Sequence, residues 1–347
     1  MPQKKALPET VAEARAAPAK PTLKTIARIS GLAVPTVSRA LNDAPDIGAE
    51  TKKLIRKIAK EVGYIPNRAG VRLRTGRTNV ISLVMSTEHD VMSHTARLIS
   101  SVAGGLRDTP YHLVVTPFFP DQDPMDPVRY IVETGSADAV IINQVQPQDP
   151  RIAYLMERHF PFATHGRSDW SDRHAYYDFD NSAFGEIAIN ELADRGRKNV
   201  LVIAPPAAHA YAQHMIYGTR KAAAERGINA ILADPITSDT QIDDVVDYVL
   251  QTLRSRPEID AILTASTSSA MGAVSGLEQT GAQVGREIDV STKEAIPFLN
   301  LFRADILTVN EKVGAAGAFL ARAAIQAIRS PLTTPMQQLE IPLAKNR

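Results

Sequence analysis

The heptapeptide Thr36-Val37-Ser38-Arg39-Ala40-Leu41-Asn42 sets hydroxyl and amide groups and one long cation on the polar side of a helix. Val37, Ala40 and Leu41 fall on the other side. Solvated helix faces more often carry Glu and Lys, so this face suits hydrogen bonding to a partner. Elsewhere reactive chemistry is sparse. The absence of cysteine excludes disulfides, thiolate metal sites and cysteine nucleophiles. No GxSxG, P-loop, GxGxxG or HExxH string occurs. Asp178 and Asp180 in "YDFDN" could suggest glycosidase or metal chemistry, but no ligand cluster accompanies them and a strand-to-helix turn explains them better. Catalysis, a cofactor and a resident metal are therefore not expected.

The recognition-like helix must be held by its neighbours. Residues 1–20 are rich in Ala, Pro, Lys and Glu and read as a disordered tail without a secretory h-region. With no apolar run long enough to span a membrane, the expected location is the cytoplasm. Residues 1–77 hold 16 Lys/Arg against 6 Asp/Glu, whereas the rest of the chain holds 23 against 32. A basic head on an acidic body points to a polyanionic partner for the head. Thr22 can cap a helix through Ile26 and Ile29 that stops at Gly31. Pro35 opens the next, "PTVSRALN". A third spans about 49–62, with Leu54, Ile55, Ile58, Ala59 and Val62 on one side, and Gly63 ends it. Two short helices joined by a Gly-containing turn are the sequence form of a helix-turn-helix. "YIPNRAGVRLRTGRT" follows, either an Arg-rich linker or a short helix that orders only on DNA.

The string "TLKTIARISGLAVPTVSRALNDAPDIGAETKKLIRKIAKEVGYIPNRAGVRLRTGRTNVI" closely resembles the headpiece of the lac repressor/galactose repressor family. The resemblance implies that "TVSRALN" lies in a recognition helix entering the major groove of double-stranded DNA. Val34 and Pro35 match base-reading positions, where they could contact thymine methyls or fill space. Arg39 is the best direct reader, because a guanidinium bonds bidentately to guanine. Thr22, Thr36, Ser38, Asn42 and Thr51 match phosphate contacts, although Thr36 and Ser38 could serve only to close the turn. Tyr64 and Asn67 match backbone contacts around the hinge. Leu73 matches a leucine that wedges into the minor groove at the operator centre, with packing against the body as the alternative. Family members bind as dimers, so a homodimer reading a pseudo-palindromic operator is implied. The C-terminus carries no heptad leucines that would add a tetramer-forming coil.

From Asn79 onward, apolar strand-like runs such as "NVISLVM", "ADAVIIN", "NVLVIAPP" and "DAILTAS" alternate with helical segments. That pattern means parallel sheets covered on both faces. The expected architecture is an all-α helix-turn-helix headpiece plus an α/β two-lobed domain like the periplasmic binding proteins. Expected boundaries are a headpiece over 21–66, a hinge helix or linker over 67–77, and an effector-binding and dimerisation domain over 78–345. Interlobe crossovers are expected near 165–185 and 295–315.

By resemblance, a small effector sits in the cleft between lobes, and closure around it changes operator affinity. Strand ends and family positions nominate Glu88, His94, His165, Arg167, Gln213, His214, Ser266 and Glu294 as its contacts. Carboxylates, His and Arg suit the paired hydroxyls of a sugar. Met215 stands where the family usually has arginine, Thr267 where it has aspartate, and Thr292-Lys293-Glu294-Ala295 replaces a "GYDD"-like string. The effector site therefore departs from those of ribose, galactose and purine responders. "HGR", "YYDFDN" and "STKEAIPF" resemble regulators of α-glucoside uptake, so sucrose, maltose or trehalose is the expected effector. The competing reading, a free sugar-binding transport protein, would share the body but lack the basic head.

Overall fold

The computed structural model describes residues 10–11, 20–65, 72, 76–87, 94–295 and 297–343. Asn67, Leu73 and Glu88 lie outside them. The chain divides into two compact units, Met1–Thr78 and Asn79–Arg347.

The first unit packs three helices, α1 (Leu23–Ser30), α2 (Val34–Leu41) and α3 (Ala49–Val62). Thr22 and Thr25 form a reciprocal capping box at the start of α1, which satisfies two N–H groups that would otherwise lack partners. Gly31 and Gly63 end α1 and α3 in the left-handed conformation, where a side chain would be strained. Ile26, Val37, Ala40, Ile55, Ile58 and Val62 form the core. Leu54, expected on the buried side of α3, is 47% exposed. The stripe 55–58–59–62 already follows the i, i+3, i+4, i+7 rule, and Leu54 falls a quarter-turn outside it.

The second unit contains two parallel sheets. The six-stranded sheet follows the order β11-β5-β4-β3-β1-β2. Its strands are β1 (Val80–Ser86), β2 (His112–Phe118), β3 (Ala139–Ile142), β4 (Phe162–His165), β5 (Ala175–Phe179) and β11 (Gln337–Glu340). The five-stranded sheet follows the order β10-β9-β8-β6-β7, built from β6 (Asn199–Ile203), β7 (Asn229–Leu232), β8 (Ala261–Thr264), β9 (Asp289–Glu294) and β10 (Leu307–Asn310). The chain leaves the first sheet after Phe179 and rejoins that lobe between Asn310 and Val313.

Helices cover both faces of each sheet. On the first lobe these are α4 (Ala96–Gly105), α5 (Met125–Thr134), α6 (Pro150–Glu157) and, after the return, α12 (Val313–Arg329). On the second they are α7 (Asn181–Asp194), α8 (Ala210–Arg226), α9 (Ile242–Ser255) and α10 (Thr267–Glu278), with the short α11 (Leu299–Phe302) before β10. Every strand carries its C-terminal end toward the same side of its sheet, because all pairings are parallel. Glycines allow the closest helix pairs. A Cβ on Gly218 of α8 would fall on the Ser182 carbonyl of α7, and one on Gly317 of α12 would meet Ser101 of α4.

"YDFDN" is only partly a turn. Asp180 caps α7, its Oδ1 accepting from the N–H groups of Ser182 and Ala183 at 3.1 Å. Asp178 instead belongs to β5 and is buried.

Candidate functional site

On the headpiece, α2 turns Val37 and Ala40 into the core and leaves Pro35, Arg39 and Asn42 exposed, with Thr36 and Ser38 between. Arg39 Nη2 meets Asp46 Oδ2 at 2.5 Å, both side chains about half exposed, so the guanidinium is held in place yet reachable. The Asn42 amide donates to the Ser38 carbonyl at 2.6 Å and closes the helix end. Val34 and Tyr64 rest partly against the core, which commits their apolar surface inward, while Thr51 is half-buried on α3. Thr22 is occupied by the capping box but exposed. Arg39 is therefore the long polar side chain that α2 presents among the described residues.

In the second unit, the C-terminal strand ends of both sheets face a polar cleft of about 130 Å³. Its centre is Glu311, which follows β10 and is 5% exposed. Glu311 Oε1 lies 3.2 Å from His94 Nε2 and 3.7 Å from His165 Nε2, while Oε2 lies 3.3 Å from Lys293 Nζ. Burial pushes the Glu311 carboxyl up, but Lys293 and the two imidazoles outweigh it and hold it well below the usual carboxylate range. Burial, reinforced by His94, lowers His165 to about 4, so its ring is neutral near pH 7. Lys293 also donates to Asn181 Oδ1 at 2.9 Å and sits over the rings of Phe179 and Tyr211. Across the site, burial raises Asp178 to about 6, against the pull of Arg167, whose Nε donates to Asp178 Oδ2 at 2.6 Å.

His94, His165 and Glu311 offer ligand atoms within 4.8 Å of one another, a donor set that a divalent cation could use. The Lys293 ammonium already neutralises that carboxylate, so the two imidazoles face a Lys293–Glu311 ion pair.

The wall beside this network is fastened by a buried pair. Arg151 Nη2 contacts Asp149 Oδ2 at 2.7 Å and also donates to the carbonyls of Asn143 and Gln144, which line the cleft. Asp149→Ala would leave that guanidinium buried without its counter-ion. A loss of about 3–5 kcal/mol is expected, read as a lower urea midpoint; a loss below 1 kcal/mol would show that the pair contributes little.

Of the nominated residues, His94, His165 and Ser266 line the cleft. The Ser266 hydroxyl already donates to the Ser238 carbonyl and accepts from the Ser269 N–H, capping α10. Arg167 reaches the site through Asp178. Gln213 is exposed and donates to the Ala207 carbonyl, and His214 lies beside it on α8, so neither lines the cleft. Glu294 is turned away, its carboxylate accepting from the Leu299 N–H at 3.0 Å.

The sequence of known proteins closes the question of family. A model described as "Bacterial regulatory proteins, lacI family" matches residues 22–67, and one described as "Periplasmic binding proteins and sugar binding domain of LacI family" matches residues 112–330. The HTH-type transcriptional regulator AglR of Rhizobium meliloti (strain 1021) is 32% identical over 325 residues, covering 91% of this chain and 90% of that protein. The chain belongs to the LacI family.

Solved LacI-family structures share the fold. The lac repressor dimer bound to operator and the anti-inducer ONPF superposes with a TM-score of 0.78 at 19% identity, covering 93% of this chain and 97% of that one. The transcriptional regulator CelR–cellobiose complex gives 0.67 at 22% identity, covering 93% and 98%. As a LacI-family member, this chain is a DNA-binding transcriptional regulator and not an enzyme. Among its described residues, no helix is long and apolar enough to cross a membrane.

Among the polar groups that line the cleft, reading the sequence missed the central ones, Asp178, Asn181, Lys293 and Glu311. Strand parity could have found Lys293. Once β9 is placed, side chains alternate faces, so Lys293 and Glu294 cannot both enter the cleft.

Proposed function

We propose that this regulator binds a pseudo-palindromic operator as a homodimer and that an uncharged saccharide in the cleft changes its operator affinity. The observation that carries the effector class is the self-neutralised lining. Lys293 is the lysine among the described residues that line the cleft, and Glu311 already pairs with it; Asp178 pairs with Arg167, and Asp239 adds a further carboxylate. A phosphate or carboxylate group would meet this lining without a free cation. Sugar hydroxyls, each both donor and acceptor, match a mixture of carboxylate, amide, imidazole and ammonium groups. The rings of Phe179 and Tyr211 line the cleft beside Lys293 and add apolar surface to it.

An α-glucoside is the proposed effector, supported by the resemblance of "HGR", "YYDFDN" and "STKEAIPF" to α-glucoside regulators; the cellobiose complex of CelR, a β-linked glucose disaccharide, supports the sugar class but not the linkage. The cleft volume of about 130 Å³ lies below the roughly 300–1,000 Å³ of sites that enclose drug-sized ligands. A disaccharide therefore requires the lobes to stand further apart than they do here. Calorimetric titration with sucrose, maltose, trehalose, glucose and glucose 6-phosphate tests this reading. Binding of one neutral sugar and none of the phosphate is expected. Preferential binding of the phosphate would overturn it.

On the headpiece, Arg39 is the proposed base reader, with Thr22, Thr36, Ser38, Asn42 and Thr51 toward phosphates, Asn67 and Tyr64 at the hinge, and Leu73 in the minor groove. Arg39→Ala should flatten the ranking of operator variants by about 1–3 kcal/mol at one base pair in each half-site. A uniform loss across all variants would instead place Arg39 on the phosphate backbone.

A further inference from the structure

The C-terminal strand joins the first sheet at its edge, and one residue of it touches both places where the chain passes between lobes. Glu340 ends β11 and is 8% exposed. Its carbonyl accepts from the Asp180 N–H at 2.8 Å, at the first crossover. Its carboxylate accepts from the Lys312 N–H, Oε1 at 3.0 Å and Oε2 at 3.2 Å, at the second. Oε2 also accepts from the Tyr177 hydroxyl at 2.7 Å. Tyr177 is buried and stacks on His165, with ring centroids 6.3 Å apart, and His165 faces Glu311 one residue before Lys312.

We infer that Glu340 is a positioning residue for the hinge: a clasp that holds the two interlobe crossovers together and sets the separation of the lobes. A buried carboxylate needs hydrogen-bond donors, and here they come from two chain segments far apart in sequence. The Asp180 N–H is held by the backbone carbonyl of Glu340 and the Lys312 N–H by its carboxylate, so motion of either crossover is passed to the other through this one residue. Hinges are a few residues at element ends that absorb backbone rotation, and Asp180 and Lys312 occupy such ends, before α7 and α12. The tyrosine adds a route from the cleft, since a ligand that shifts His165 presses on the ring whose hydroxyl holds the clasp. This device is separate from the identity of the effector and stands whether or not a sugar proves to be the ligand.

The natural chain has no cysteine, so two can be introduced and labelled specifically. Asp126→Cys on α5 and Gln251→Cys on α9 are exposed, one on each lobe. Single-molecule energy transfer between dyes at these sites, in the full-length protein without added ligand, reads the distribution of lobe separations. Glu340→Ala should broaden or shift that distribution, or add a second population. Tyr177→Phe, which removes one donor but neither crossover bond, should change it less. Thermal melting is recorded alongside. A melting temperature that falls while the lobe distribution stays that of the parent overturns the inference, because a purely structural role moves the first and not the second. If Glu340→Ala does not fold, Glu340→Gln replaces it under the same criteria, since it turns one acceptor into a donor facing the Lys312 N–H or the Tyr177 hydroxyl.

Discussion

Glu311→Gln is expected to weaken saccharide binding at least tenfold, a cost of about 1.4 kcal/mol or more, while leaving operator binding in the absence of sugar close to that of the parent. The substitution preserves volume and removes one charge. Glu311 is the anion that His94, His165 and Lys293 all face. Without it the Lys293 ammonium loses its closest anion and keeps Asn181 and the aromatic rings, and the amide offers one oxygen where the carboxylate meets both Lys293 and His94. Leaving one charge of a buried pair unmatched costs more than the pair gains when intact. The headpiece should not register the loss directly, because it folds around its own core of Ile26, Val37 and Ile55. Sugar titration and operator binding on the same preparation check both halves. Unchanged sugar affinity would remove Glu311 from the effector site.

Gly218→Ala should produce a large loss of stability, roughly 3 kcal/mol, at the upper end of ordinary overpacking, and a fall of roughly 10 °C in Tm. The added methyl would strike the Ser182 carbonyl, and Gly185 opposite is also closely confined, by Met215 and Thr219. Backbone faces backbone here, so no flexible side chain can yield. The strain would fall at the start of α7, just after the first crossover. Gly104→Ala on α4 is the control: nothing lies within 4 Å of its Cβ position, and alanine favours a helix by roughly 0.5–1 kcal/mol. Equal melting temperatures for the two variants would mean that α7 and α8 part more easily than their packing implies.

The headpiece was largely legible in advance because its helices announce their ends. Thr22, Gly31, Pro35 and Gly63 are local signals, and a cap or a left-handed turn depends on neighbours in sequence. The central strands were equally plain, since a strand buried on both faces, such as Ala139–Ile142, is an unbroken apolar run. Edges were not. β11 reads "QQLE", two exposed glutamines beside a half-buried leucine, and only its pairing with β5 makes it a strand. The cleft suffered for the same reason. Asp178 could not be separated from the turn at Asp180 until β5 had a partner, and Glu311 follows a four-residue strand that no pattern marked. Lys293 and Glu294 differ by one position, and a shift of one residue turns a strand side chain to the opposite face. The partners of Glu311 lie 18 residues away at Lys293 on β9 and 217 residues away at His94 before α4, beyond the reach of any local motif.

Fluorescence anisotropy of the full-length protein on DNA from upstream of its own gene cluster, at stated salt and with sucrose, maltose and trehalose added in turn, tests the central claim most directly. The account predicts tight binding to one pseudo-palindromic site, and a neutral sugar that changes that affinity while weak binding to unrelated DNA stays as it was. Affinity that is the same for every DNA sequence and for every sugar would contradict it.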